Sequence, residues 1–403
     1  MPKRRSHFKK KFLIFISFSG SLFLLSGCWD RWETNDIAIV TATAIDKKED
    51  NQIELSLQIF IPRAFGMSSS PGGASGGGTG GELTFVISQK GVNMADAISK
   101  LQAELPRKIF WGQCKVFIFG EKIAKEGIQE HLDFLLRHPQ PRERAYMFVS
   151  KGKAKHILEL QSKLERSSAE AMRELVDLEI GLKVTLKDLN EMLTSEAQAA
   201  ALPYLKTMTE KGKKKSFQFP KIFGSAVIKK DQMIGYISQR ETRGILWLRD
   251  EIKGYTVTFE PEGKKGNVSL NPVTAKVDLI PQINGENWSM IVKIQTEGTV
   301  IQNNSSLDIS KLSNLKVVEK AYQDGIRKRV EFVLVKVQNE LRTDIVGFAK
   351  EFHRKYPKQW RKVENRWDEV FPEIKIKYDI KAHIRKEGYI NKPMKLRIEE
   401  EKE

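Results

Sequence analysis

Cysteine is almost missing from this chain of 403 residues, which has two, Cys28 and Cys114. Histidine is scarce as well, with six scattered at His7, His131, His138, His156, His353 and His383. None of them makes HExxH or another metal-ligand spacing. No Gly-Lys-Ser/Thr follows a glycine-rich stretch, so a nucleoside-triphosphate loop is excluded. The sequence also lacks the roughly 20 consecutive apolar residues of a membrane-spanning helix. There is no G-x-S-x-G either. Glu104, Asp133 and Glu143 read as ordinary helix and loop residues, and a distant glycosidase-type pair is the enzymatic alternative that spacing leaves open.

What is present starts at the amino terminus. Residues 1–11, "MPKRRSHFKKK", hold Lys3, Arg4, Arg5, Lys9, Lys10 and Lys11 and no acid. Residues 12–25, "FLIFISFSGSLFLL", are apolar apart from Ser and Gly. A basic stretch before a short apolar run is a secretory signal. It ends in Leu25-Ser26-Gly27-Cys28, the lipobox pattern, in which small residues admit a peptidase to the bond before Cys. The expectation is a signal peptide over 1–27, with Cys28 carrying an S-diacylglyceryl group and an N-acyl chain. Two or three chains on one residue hold a protein firmly where one holds it reversibly. Acylation of Cys28 would leave Cys114 without an intrachain partner, as a buried thiol in an apolar run.

Formal charge is +17, and removing the six positives of the first eleven residues leaves about +11. Outside an anionic bilayer this surplus favours lipid or acidic wall polymer, not nucleic acid. No cofactor or metal is implied.

The hydrophobic pattern predicts an α+β protein. Strands are expected at 36–46, 52–62 and from Glu82, with a glycine-rich loop at 68–82. A helix capped by Asn93 follows, then a central apolar strand in "KIFWGQCKVFIFG", one helix through "IAKEGIQEHLDFLLRH", and a strand at "RAYMFVSKG". These make an N-terminal domain over 28–151. Residues 152–215 read as a helical middle region, with start signals at Ser167 or Ser168 and at Thr185. The rest, 216–403, reads as a C-terminal α+β domain. Its strongest period runs through Leu315, Val318, Tyr322, Ile326, Val330, Val333, Val337, Leu341, Ile345, Phe348 and Phe352. That period predicts a long helix over 314–353 lying across the C-terminal sheet, with a two-chain coiled coil as the alternative. Its flank is basic, with Lys316, Lys320, Arg327, Lys328, Arg329 and Lys336. The alternation of Ile374, Ile376, Tyr378, Ile380, Ala382 and Ile384 predicts an antiparallel strand buried on one side. Trp111, Trp247 and Trp288 read as core or strand-surface aromatics.

The stretch "CWDRWETNDIAIVTATAIDK", 28–47, resembles the start of mature Ger(x)C-family spore germination proteins. Cys28, Trp29, Asp30, Glu33, Asn35, Asp36, Ala38, Ile45 and Asp46 occupy the positions of that family's motif. The likeness continues through "RKIFWGQCKVFIFGEKIAKEGIQEHLDFLLRHP" and "FHRKYPKQWRKVENRWDEVFPEIKIKYDIKAHIRKEG". Thr34 and Gln113 depart from the residues the family often carries, which argues against a functional role for either. The resemblance implies an elongated, multidomain α+β fold with mixed or antiparallel sheets. It implies a non-catalytic, lipid-anchored C subunit of a nutrient germinant receptor, on the outer face of the spore inner membrane. It also implies multi-spanning A and B subunits as partners, with the small-molecule germinant bound elsewhere in the complex. Trp29, Asp30, Trp32 and Glu33 then follow directly on the anchor as membrane-proximal residues. The alternatives are a lipid-anchored solute-binding protein of a transport system and an envelope hydrolase.

Overall fold

The computed structural model describes residues 33, 35–62, 83–162, 164–179, 181–211, 216–252 and 255–385. The expected signal peptide, Cys28, Trp29, Asp30, Trp32 and the glycine-rich loop lie outside them. Two hairpin-joined strands open the fold, β1 (Ile37–Lys47) and β2 (Ile53–Phe60), and β3 (Thr84–Gly91) pairs antiparallel to β2. Helix α1 (Met94–Glu104) follows, with the Asn93 side chain accepting from the Asp96 N–H at its start. The short β4 (Lys108–Phe110) runs beside the foot of β1. Next comes β5 (Val116–Gly120), buried at every position and parallel to β1. An apolar run of this kind has no solvent face to spare, which is why it sits centrally.

The helix expected through 123–138 is two, α2 (Glu121–Glu126) and α3 (Gln129–Arg137). Gly127 separates them at φ +144, a backbone state that L side chains rarely adopt. The turn leaves Leu136 38% exposed. Strand β6 (Tyr146–Ser150) joins parallel to β5. Helices α4 (Ala154–Leu158), α5 (Ser168–Asp177) and α6 (Leu186–Thr194) follow, with Ser167 and Thr185 capping the last two.

The middle region does not stay helical. Residues 199–211 form β7 (Ala199–Lys211), parallel to β6 and antiparallel to β8 (Ser216–Lys229). This hairpin crosses position 215, where the helical text was expected to end. Strand β9 (Gln232–Ser238) pairs with β8 and closes the sheet, with Lys230 left-handed at the turn. Among the described residues nine strands thus form one mixed sheet, ordered β3-β2-β1-β5-β6-β7-β8-β9, with β4 beside β1.

Helix α7 (Gln239–Leu248) leads to a second sheet of β10 (Val257–Phe259), β11 (Val268–Asn284) and β12 (Asn287–Asn303). Helix α8 (Leu312–Val335) then buries Leu315, Val318, Tyr322, Ile326, Val330 and Val333, the expected stripe. It stops well short of 353. One wide turn, Lys336–Glu340, ends it, and α9 (Phe348–Lys355) starts a separate helix. The cause is Asp344, described below, together with Gly347 at φ +89. The last strand, β13 (Lys375–Arg385), runs parallel to β12, where an antiparallel strand was expected. The long helical connection between β12 and β13 makes the parallel crossover possible. The side-chain alternation holds: Ala382 and Ile384 are buried, while Lys375, Lys377 and Lys381 face solvent.

Candidate functional site

The amino-terminal foot of β1 is where any tether enters the fold. Glu33, the one membrane-proximal candidate among the described residues, is exposed there. The Asp36 N–H donates to the Glu33 carbonyl at 3.0 Å, and the Lys108 N–H donates to the Asp36 carbonyl at 2.9 Å. Strand β1 is thus fixed from its start. Ala38, Val40, Ala42, Ala44 and Ile45 are all buried. Burying a side chain of this class contributes about 1.5–3 kcal/mol for the larger ones, so pulling on the chain start loads the centre of the sheet.

The far end of β1 carries the Ile45-Asp46 pair of the motif. Asp46 is 2% exposed. Its Oδ1 accepts from the Ala154 N–H at 2.7 Å and its Oδ2 from the Lys155 N–H at 2.8 Å. Those are the first N–H groups of α4, which have no partner inside the helix. Burial pushes the Asp46 carboxyl above its ordinary value, and the Lys155 and Ala154 donors pull it back. Asp46 is therefore a clasp between β1 and the crossover after β6. Gln58 is a second clasp: its Nε2 donates to the Leu158 carbonyl at 3.0 Å and to the Ser168 Oγ at 2.9 Å. Sequence reading saw Asp46 through the motif and missed Gln58, a polar residue inside an alternating strand.

Cys114 is 1% exposed, with its sulfur 3.5 Å from the Thr43 hydroxyl and 3.4 Å from the Val116 carbonyl. Burial pushes its thiol up to about 12. A thiol so held is neutral and shielded at pH 8. Iodoacetamide at that pH is expected to leave Cys114 unmodified in the folded protein and to alkylate it in urea; alkylation of the folded chain at the urea rate would contradict the buried placement.

The C-terminal unit joins the first sheet through α7 and α8. The Arg240 guanidinium of α7 stands over the Phe332 ring of α8, 4.7 Å from its centroid. Arg249, just past α7, donates to the Ile345 carbonyl at 2.7 Å. Beside it, Asp344 accepts from the N–H groups of Val346, Gly347, Phe348 and Ala349 and from the Trp367 indole at 3.2 Å. A cleft of about 870 Å³ is lined by α3 and α6, with Glu126, Glu130, Asp133 and Asp231 on its walls. Two of these carboxylates are already paired, Glu126 with Lys47 at 2.6 Å and Asp133 with Arg137 at 2.8 Å. Among the described residues no group of His, Cys, Asp and Glu could hold a metal ion. None of the described helices is long and apolar enough to cross a membrane.

Residues 30–207 match the model of the spore germination protein N-terminal domain, and residues 223–388 match the spore germination B3/GerAC-like C-terminal model. The chain belongs to this spore germination protein family. The gap between the two matched segments falls in the β7–β8 hairpin. Spore germination protein KC of Bacillus subtilis (strain 168) is 27% identical over 96% of this chain and 98% of its own length. Spore germination protein B3 of the same organism is 25% identical over 92% of this chain and 96% of its own. The crystal structure of the GerBC protein superposes with a TM-score of 0.56 at 20% identity, covering 86% of this chain and 97% of that one. The fold is therefore that of GerBC, and the family's part in spore germination belongs to this chain as a member.

Proposed function

We propose that this chain is the membrane-tethered, non-catalytic C subunit of a nutrient germinant receptor. It would sit on the outer face of the spore inner membrane beside multi-spanning A and B subunits, which respond to small nutrients such as amino acids or sugars. The observation that carries this reading is the pairing of two family matches, spanning 30–207 and 223–388, with Leu25-Ser26-Gly27-Cys28 immediately before them. The buried carboxylates support a scaffold: those of Asp46 and Asp344 are directed at backbone N–H groups, where they lock the fold. In this reading acylation at Cys28 confines the chain to the bilayer, and confinement raises its concentration beside its partners. Trp29, Asp30, Trp32 and Glu33 then follow within a few residues of the headgroups.

Cys28→Ala spores test the reading. The variant is expected in the soluble fraction after spore breakage, with the response to nutrient strongly impaired. A variant that stays with the membrane while spores respond normally would contradict it.

A further inference from the structure

The β7–β8–β9 end of the first sheet presents an unusual surface. Lys206, Met208 and Glu210 of β7 stand opposite Lys221, Phe219 and Phe217 of β8. Paired and alternate residues share one side of a sheet, so these six form a single strip. Phe217 and Phe219 stack at 6.5 Å. Phe223 continues the row and packs on Tyr204 at 4.6 Å and on Tyr236 of β9 at 5.8 Å. Lys206 and Lys151 stand over the Phe223 ring at 5.2 and 6.0 Å. Ile234 and Tyr236 are 44% and 52% exposed. Glu210 is the one acid in the strip. The basic flank of α8 differs, because Glu319, Asp324 and Glu331 interrupt its lysines and arginines.

We propose that this aromatic and lysine face rests on the headgroup layer of an anionic bilayer. Aromatic rings with an apolar body settle at such an interface. Lysine stems lie along apolar surface while their ammonium groups reach phosphate. Each lysine near an anionic surface strengthens partitioning about fivefold. The proposal rests on the tether reading, and the tether permits it. Tyr204 is level with Ile45 of β1, through Val149 and Phe119. Ile45 lies nine residues beyond Asp36, about 30 Å along a strand. The eight residues from Cys28 to Asp36 reach about 28 Å when extended. That reach is close to the drop from Asp36 to the level of Tyr204, so a molecule anchored at Cys28 and tilted with β1 towards the bilayer plane can rest this face on it.

The test uses the full acylated protein on vesicles. A fluorophore is placed at Phe219→Cys or Tyr236→Cys, with Glu262→Cys in the loop before β11 as the distant control; buried Cys114 stays unlabelled. Lipid-attached quencher in mixed phosphatidylglycerol–phosphatidylcholine vesicles is expected to quench the labels at 219 and 236 and to spare the one at 262. The triple variant Lys151→Glu, Lys206→Glu, Lys221→Glu is expected to lower that quenching about tenfold or more, while the protein still sediments with the vesicles through its acyl chains. Sedimentation without quenching at either position overturns the face and leaves the tether standing. Quenching that requires co-reconstituted membrane subunits also overturns it, in favour of a protein contact. If the acylated chain fails to sediment, the tether reading fails, and quenching at saturating lipid still decides for or against the face.

Discussion

Asp344→Ala is expected to lower the stability of the folded chain by about 4 kcal/mol. The carboxylate is 2% exposed and gathers five donors. Its Oδ1 accepts from Val346 at 3.1 Å, Gly347 at 2.9 Å and Phe348 at 3.1 Å. Its Oδ2 accepts from Ala349 at 2.6 Å and from the Trp367 indole at 3.2 Å. Four of these are backbone groups, Val346 just before α9 and Gly347 to Ala349 at its start, where a helix leaves its N–H groups without partners. Removing the acceptor strands all five where water does not reach, and each buried orphan costs roughly 1–3 kcal/mol before relaxation. Burial pushes the carboxyl above its ordinary value and the backbone donors oppose that shift. Asp344→Asn keeps one acceptor oxygen and is expected to recover about half of the loss. In thermal unfolding the alanine variant should fall by about 10 °C. A midpoint within a degree or two of the parent would mean that something other than Asp344 holds the 341–347 segment.

Gly244→Leu is expected to open the seam between the two sheets, at a cost of about 3 kcal/mol or more. Gly244 lies on α7 against α8. A Cβ at this position would come within 2.5 Å of the Arg329 carbonyl oxygen and 2.6 Å of the Val333 Cγ1. Backbone on one side cannot yield as a flexible side chain would, so α8 must shift bodily. That shift pulls Phe332 from under Arg240 and loosens the Arg249 contact with Ile345. Gly244→Ala, with one carbon added, is expected to cost about half as much. Limited proteolysis of the leucine variant should cut the segment between α7 and β11 faster than in the parent. Unchanged stability and unchanged cleavage would rule out a tight seam at this crossing.

The elements that announced themselves in the sequence did so through local chemistry. Asn93, Ser167 and Thr185 each precede a helix by one residue, and each side chain accepts a backbone N–H three residues on. The apolar core of "KVFIFG" required burial on both sides, and β5 has it. The misreadings are equally physical. Leu341, Ile345 and Phe348 keep a helical step through a break, because both helices bury their stripes in one core. Only the Asp344-x-x-Gly347 spacing hinted at a new start. "AAALP" reads alike as helix or buried strand, since periodicity is silent in short apolar runs. Alternation in β13 told which face is buried and nothing of direction. The proposed tether rests on Leu25-Ser26-Gly27-Cys28 alone, because a peptidase reads local residues and not a fold.

The most direct test of the account is the mass of the amino-terminal peptide of the protein isolated from spores. That peptide is expected to begin at Cys28 and to carry a diacylglyceryl group on sulfur and a further acyl chain on nitrogen. A free thiol at Cys28, or a peptide that still contains residues from 1–27, would contradict it.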